Sequence, residues 1–269
     1  MRAGHDRAAP GVTWAHLGLA WLVRRGLVVA GAVLLWQVIA SGADNPFFPP
    51  PSRIASAAAQ LWLSPLLVTN VLPSLARLLG GWVIAGMAGT VLGIGLGRSR
   101  MVADYLEFVL AFLRTLPPPL LVPVFMVLCG IGPTMEVTTI TFGAVWPVLL
   151  NTMDGAKSVD PVTTDTARVF RVSRTRWVLG VVLPTALPKV FAGLRTSLSI
   201  ALILMVISEL AGSTSGIGFQ LAITQGQLDL PAMWSWIILV GLLGSVLNQG
   251  LVLAERRVLA WHHERVGAR

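Results

Sequence analysis

Long apolar runs constrain this chain most, because a run of about 20 apolar residues can cross a bilayer as a helix. Only 12% of the 269 residues are charged, about half the fraction that is usual in a soluble domain. Six runs reach or approach spanning length: Gly26–Ala43, Leu75–Leu96, Tyr105–Gly130, Glu136–Asn151, Val190–Gly212 and Trp234–Leu253. The sequence therefore predicts an all-α membrane protein with about six transmembrane helices.

The basic residues between these runs predict the orientation, because cytoplasmic loops of membrane proteins are enriched in Lys and Arg. Basic residues cluster before the first run, between the second and third, between the fourth and fifth, and after the sixth, whereas the other connections hold only Arg53. We expect both termini in the cytoplasm, with a cytoplasmic segment 1–25, a transmembrane domain 26–254 and a cytoplasmic tail 255–269. The same distribution accounts for the net charge of +8 without a nucleic-acid partner.

Two segments near the N-terminus allow alternatives. Arg24 and Arg25 precede an apolar run, and Ala40-Ser41-Gly42 is similar to a signal-peptidase site, but five further runs favour an uncleaved first helix. After this run, FFPPPSRIASAAAQLWL predicts a short helix that begins near Arg53 and is capped by Ser52. Its apolar spacing fits a helix lying on the membrane surface or a packed connector.

Small residues recur every fourth position in the second run. Ala85, Gly89, Gly93 and Gly97 fall on one helix face, where small side chains let two helix backbones approach closely in lipid. The spacing predicts a tightly packed helix pair, in a transport core or in an ordinary bundle.

A triple proline interrupts the third run. Pro117, Pro118 and Pro119 remove backbone donors in LRTLPPPLLVP, so the helix is expected to kink or break there. Arg114 lies just before the break. It either lines a polar pathway or extends its guanidinium to the cytoplasmic surface.

The motifs of several enzyme classes are absent from the sequence. No glycine precedes a lysine, so there is no Walker A loop. There is no Gly-x-Ser-x-Gly elbow, the histidines lie only near the two ends of the chain, and Cys129 is the single cysteine. We therefore expect no catalytic residues, no bound metal and no cofactor in this chain.

The stretch from Asp160 to Val190 is basic and contains several residues that start or break helices, unlike the apolar sequence around it. Asp160-Pro161 predicts a helix start with an N-cap and a proline at the first helical position. Ser173 is predicted to cap a second helix, and Pro184 and Pro188 to bend the chain back into the membrane. A short helix held between two spans indicates a docking element, and the alternative is a basic loop that only fixes topology.

Several motifs here resemble a known family, the ABC importer permeases of the nitrate, sulfonate and taurine type. Asp165-Thr166-Ala167, Arg171 and LPTALP resemble that family's cytoplasmic Glu-Ala-Ala loop, with Asp for Glu and Arg for its glycine. The resemblance extends through FFPPPSRI, LGRSR, LRTLPPPLLVPVFMVLCGIG, WPVLLNTMDG, GLRTSLSIAL, VISELAGSTSGIGF and LAERRVLAW, from about Trp36 to Trp261. It implies a permease without its own ATPase site, in the bacterial cytoplasmic membrane, that carries a small anionic solute.

The resemblance also implies partners and site residues. The partners are a second, identical permease chain, two ATP-binding-cassette subunits that bind ATP and Mg²⁺, and an extracytoplasmic solute-binding protein. Within a coupling loop at about 153–189, the residues expected to contact the ATPase are Asp160, Asp165, Thr166, Ala167, Arg168, Phe170, Arg171 and Ser173. The pathway or gate is expected at Arg114, Pro117, Pro118, Pro119, Glu209, Ser215, Gly216 and Gly218.

Two rival functions make different demands on the sequence. An ion-coupled secondary transporter needs acidic residues or histidines within the membrane, and only Glu107, Glu136 and Glu209 are candidates, all near the ends of runs. An intramembrane enzyme needs the catalytic residues that the sequence lacks. The solute stays open among sulfonates, taurine, nitrate, bicarbonate, pyrimidine precursors and flavins.

Overall fold

The computed structural model describes residues 14–43 and 45–260, and the secondary structure in these ranges is entirely helical. Residues 1–13 and 261–269, which include most of the two predicted cytoplasmic ends, lie outside the described residues. The helices are α1 (Trp14–Ala43), α2 (Pro51–Trp62), α3 (Pro65–Arg98), α4 (Arg100–Thr115), α5 (Val122–Cys129), α6 (Pro133–Lys157), α7 (Pro161–Val169), α8 (Arg174–Trp177), α9 (Leu183–Gly212), α10 (Ile217–Gly226) and α11 (Leu230–Val258).

The core of the fold is α6, which packs between α3 and α9. Glycines set the distance to α3: a Cβ on Gly93 would stand 2.6 Å from Thr152 Cβ, and one on Gly97 would stand 2.6 Å from the Met153 carbonyl oxygen. On the other side of α6, a Cβ on Gly193 of α9 would stand 2.8 Å from the Pro147 carbonyl oxygen. The three helices therefore touch nearly backbone to backbone, as small residues permit.

The small residues at every fourth position of α3 lie on the face of the helix that contacts α6. Ala85 is fully buried, and a Cβ on Gly89 would stand 2.8 Å from Val148 Cβ. Gly93 and Gly97 continue the same face toward the end of α3. The partner that requires the small residues is thus a helix of the same chain.

Among the residues that the structure describes, four helices are long and apolar enough to cross a membrane: Gly26–Ala43, Pro65–Arg98, Arg174–Gly212 and Leu230–Val258. A fifth span results if Met101–Thr115 and Pro118–Cys129, bent by 84° at the triple proline, count as one. The helix break predicted at Pro117–Pro119 is therefore present. The helices extend beyond most of the predicted runs, and α1 begins at Trp14 instead of Gly26.

Helix α6 is the predicted span that does not qualify by composition. It has 25 residues, more than the sequence suggested, but it carries polar and charged groups, including Glu136 and Asp154. Its position between α3 and α9 explains this composition, because a helix covered by other helices does not need an apolar surface all round.

The helix is not interrupted at Pro184 and Pro188, where the sequence suggested a bend. Residues Arg174–Gly212 form one membrane-length helix in which a π-helical turn, Val178–Val182, joins α8 to α9. The Leu183 N–H donates to the Val178 carbonyl, five residues back. The wider turn shifts the hydrogen-bond register just before Pro184, which has no N–H to donate.

The helix after the first run begins at Pro51, and Ser52 is not its cap. The preceding Pro50 is the N-cap and provides no side-chain bond, while the Ser52 hydroxyl accepts a hydrogen bond from Gln37 Nε2 at 3.2 Å. The cap prediction was wrong because Ser52 already lies inside the first turn. Helix α2 packs against α11 and buries Ile54, which favours a packed connector.

Candidate functional site: the exposed helix α7

Helix α7 forms for local reasons. Asp160 is its N-cap and accepts a hydrogen bond from the Thr163 N–H at 3.3 Å, and Pro161 occupies the first helical position. One turn later, Arg168 Nη1 lies 3.1 Å from Asp165 Oδ1. The predicted start and cap of this helix are therefore present.

The end of α7 is a Schellman turn. The Val172 N–H donates to the Ala167 carbonyl and the Arg171 N–H to the Arg168 carbonyl, both at 3.0 Å. Arg171 has φ 50, the left-handed conformation that usually selects glycine at this position. The turn thus keeps the shape that glycine would give it, with an arginine in place.

Helix α7 presents apolar side chains outward. None of its residues is buried, and Val162, Val169 and Phe170 are 70%, 78% and 76% exposed. Ala167 is half-buried, whereas Asp160, Asp165, Thr166 and Arg168 are exposed. These exposed apolar groups, on a helix whose other residues are mostly polar, are available for contact with a partner.

The segments on either side of α7 are packed, in contrast to α7 itself. Ala156, Val159 and Val182 form a small core with Trp177 beside it. Arg98, at the end of α3, lies 5.6 Å from the centroid of the Trp177 ring. The chain is therefore held just before and just after α7, while α7 contributes no buried residue.

Ser173 follows the Schellman turn, but its side chain does not form the predicted cap of the next helix. It occupies the N-cap position of α8 without a side-chain cap hydrogen bond. It is exposed, like Phe170 and Arg171. The structure thus brings the predicted coupling residues together on α7 and the turn after it.

Arg114 lies on the wall of a pocket of about 250 Å³ between α4 and α6. Its charged lining residues are Asp104, Glu107, Arg114 and Lys157, and Trp146 is also part of the wall. Arg114 is exposed and lies about 15 Å along α4 from Asp104, at 1.5 Å rise per residue. The pocket therefore extends from the α7 end of the bundle toward its middle.

A second polar group is buried at the opposite end of the bundle, where α9 meets α10. Arg77 Nη1 lies 2.9 Å from Glu136 Oε2 and 3.1 Å from Glu209 Oε1, and all three side chains are at least nine-tenths buried. Ser74 donates to Glu209 at 2.7 Å. Each of α3, α6 and α9 contributes a charged residue, so this ionic cluster ties the three helices together.

The ionic cluster also holds the turn that leads into α10. Arg77 donates to the Ser215 carbonyl at 2.8 Å and to its hydroxyl at 2.9 Å. The Gly218 N–H donates to Glu209 Oε2 at 2.9 Å, and Gly216 has φ 125. The predicted pathway residues thus separate: Glu209, Ser215, Gly216 and Gly218 belong to this cluster, while Arg114 and Pro117–Pro119 lie on or beside α4.

Arg77 was missed by the sequence reasoning. A signal existed, because a charge inside an apolar run is functional or paired by default, and Arg77 lies within the run Leu75–Leu96.

Among the described residues, no group of three or more acidic, histidine or cysteine side chains is placed to hold a metal ion.

Comparison with known proteins identifies the architecture. Residues 85–260 match the family described as "Binding-protein-dependent transport system inner membrane component". The chain belongs to this family.

Relatives of the permease cover nearly its whole length. SsuC of Bacillus subtilis, named as an aliphatic sulfonates transport permease, is 30% identical, covering 90% of this chain and 89% of SsuC. TauC of Escherichia coli, a taurine transport system permease, is 29% identical over 87% and 88% of the two chains. NrtB of Synechocystis, a nitrate import permease, is 26% identical over 88% and 90%.

A solved structure shares the fold of the permease. The MetNI methionine ABC transporter, in an inward-facing conformation, aligns with a TM-score of 0.60 at 18% identity. The alignment covers 72% of this chain and 95% of the other. The chain is therefore a permease subunit of the ABC importer class, of the nitrate, sulfonate and taurine type.

Proposed function

We propose that this permease forms half of the channel of an ATP-driven importer in a bacterial inner membrane, and that α7 docks into a separate ATPase subunit. One observation supports the docking most strongly: Val162 and Val169 of α7, and Phe170 directly after it, are at least 70% exposed, while the segments before and after α7 are packed through Val159 and Trp177. In this arrangement the ATPase covers the apolar face of α7, and its movement reaches the bundle through these two flanking segments.

The proposed orientation follows from the basic residues. With α7 in the cytoplasm, the α3 end at Arg98, the α9 start and Arg256 and Arg257 of α11 all face the same side. Both chain termini then lie in the cytoplasm, and α6 serves as a sixth span. The ionic cluster of Arg77, Glu136 and Glu209 lies at the external side.

The solute is proposed to be a small anion. The relatives are named for aliphatic sulfonates, nitrate and taurine. Arg114 supports the same class, because it places a positive charge in the pocket between α4 and α6, about 21 Å along α4 from its first residue, Arg100. The binding protein supplies the solute from the external side, and two permease chains enclose the path.

The test of docking is the substitution Phe170→Glu. A carboxylate in the centre of an apolar contact is desolvated without a partner, which costs about 1–3 kcal/mol or more, or about tenfold or more in affinity. The ATPase should co-purify poorly with this variant, and solute uptake should fall with it.

The matched control is Phe47→Glu, since Phe47 is 68% exposed and lies in the external connection between α1 and α2. This variant should retain the ATPase at the wild-type ratio. If Phe170→Glu retains the ATPase equally well and supports full uptake, α7 is not the docking helix.

A further inference from the structure

Arg171 has an unfavourable backbone conformation. Only two non-glycine residues in the described ranges have positive φ, Arg171 (φ 50) and Leu228 (φ 57). The Schellman turn at the end of α7 requires the left-handed conformation at this position, and a residue with a Cβ adopts it at a cost in free energy that glycine avoids.

The side chain of Arg171 receives no compensation from its own chain. It is exposed, and in the described part of the chain its guanidinium forms no hydrogen bond or ion pair. Arg168, one turn earlier, differs because it pairs with Asp165 at 3.1 Å. A strained residue without an internal contact points to a function outside the chain.

The Schellman turn places Arg171 beside the proposed docking face. It follows Val169 and Phe170 directly, and these are 78% and 76% exposed. Its backbone is held by two hydrogen bonds of 3.0 Å, one from its own N–H and one from the N–H of Val172. Charged residues at the rim of an apolar interface select partners by charge complementarity.

We propose that Arg171 pairs with a carboxylate of the ATPase subunit and thereby selects the ATPase that serves this permease. This inference rests on the proposed docking of α7. The guanidinium stands at the rim of the contact, while Val162, Val169 and Phe170 form its apolar centre. An ATPase without a carboxylate opposite Arg171 is expected to bind this permease less tightly.

The experiment measures the affinity of the ATPase subunit for the purified full-length permease in nanodiscs, at low and high salt. Arg171→Gly removes both the charge and the strain, Arg171→Asn removes the charge with a residue that tolerates positive φ, and Arg171→Lys keeps the charge. The matched control is Arg168→Gln, which removes a neighbouring arginine that is already paired inside the chain.

At low salt, Arg171→Gly and Arg171→Asn should bind the ATPase about fivefold to tenfold more weakly, and the difference should shrink at high salt because rim charges are screened. Arg171→Lys should recover most of the affinity, and Arg168→Gln should change it less than about twofold. Because Arg171→Gly relieves strain, misfolding does not explain its loss.

Two results would overturn the inference. If Arg171→Gly and Arg171→Asn bind as wild type at low salt while Phe170→Glu does not bind, α7 docks but Arg171 selects nothing. If Phe170→Glu also binds as wild type, the docking proposal fails and the role of Arg171 fails with it.

Discussion

At the scale of single residues, the ionic cluster carries an unequal set of charges. Arg77 faces two buried carboxylates, Glu136 and Glu209, and its guanidinium also donates a hydrogen bond to the Ser215 carbonyl. Glu136 Oε2 contacts Arg77 Nη1 at 2.9 Å, whereas Glu209 also accepts hydrogen bonds from Ser74 and from the Gly218 N–H, so Glu209 is the better satisfied of the two. The cluster depends on Arg77 more than on Glu136.

This asymmetry predicts different effects of two substitutions. Arg77→Met leaves two buried carboxylates without a cation and should lower the free energy of unfolding by about 3–5 kcal/mol. Glu136→Gln removes the surplus charge and should be neutral or slightly stabilising. Thermal unfolding of the purified variants in detergent measures both. Equal destabilisation by the two would contradict the assignment of Arg77 as the centre of the cluster.

Two glycines in α3 provide a second residue-scale prediction. A Cβ on Gly93 would lie 2.6 Å from Thr152 Cβ, whereas one on Gly95 has nothing within 4 Å. Gly93→Ala should therefore destabilise the protein by about 1–3 kcal/mol through overpacking. Gly95→Ala, the control in the same helix, should be neutral or stabilising because alanine favours the helix. The melting temperatures of the two variants test this prediction. An unchanged melting temperature in Gly93→Ala would refute the close approach of α3 and α6.

At the scale of elements, α7 depends on its caps, because it contributes no buried residue. Asp160→Ala removes the N-cap and should cost the helix about 0.5–2 kcal/mol. We expect faster hydrogen exchange confined to α7 and weaker ATPase association, with an unchanged melting temperature of the bundle.

The control for this prediction is Asp229→Ala. Asp229 caps α11 in the same way, accepting from the Ala232 N–H at 3.2 Å, but it lies at the end of the bundle away from α7. This variant should leave ATPase association unchanged. A loss of association in both variants would mean that the assay reports general stability and not the order of α7.

The elements that could be predicted from sequence are those with local causes. Asp160-Pro161 fixes the start of α7, and three adjacent prolines break the helix at Pro117, because both effects act within one turn. The continuous helix through Pro184 was not predictable, because the π-helical turn before it depends on how α9 packs. The same holds for Arg77, whose partners come from helices 59 and 132 residues away, the separations from Glu136 and Glu209.

At the scale of the whole molecule, the core of α3, α6 and α9 connects two ends that are built differently. One end carries α7 and the small core around Val159 and Trp177, and the other holds the ionic cluster of Arg77. Family membership favours an ATP-driven importer over the ion-coupled alternative. Glu136 and Glu209 support the same view, since they are engaged with Arg77 in the structure.

The pathway proposal makes a prediction at this scale. Arg114→Gln removes a positive charge from the pocket between α4 and α6 and should lower anion uptake by about tenfold, the effect of roughly 1.4 kcal/mol. Because Arg114 lies about 21 Å along α4 from Arg100, away from the end of the bundle that carries α7, ATPase association should stay at the wild-type level. Uptake assays in cells, with co-purification in parallel, separate the two effects, and unchanged uptake would exclude Arg114 from the pathway.

The most direct test of the central claim is solute uptake by proteoliposomes that contain the permease and its ATPase, with the binding protein and an anionic solute outside. We predict uptake that requires ATP inside the vesicle, that fails in Phe170→Glu and that survives when ion gradients are collapsed. Uptake by vesicles that contain the permease alone, driven by an ion gradient without ATP, would contradict the account.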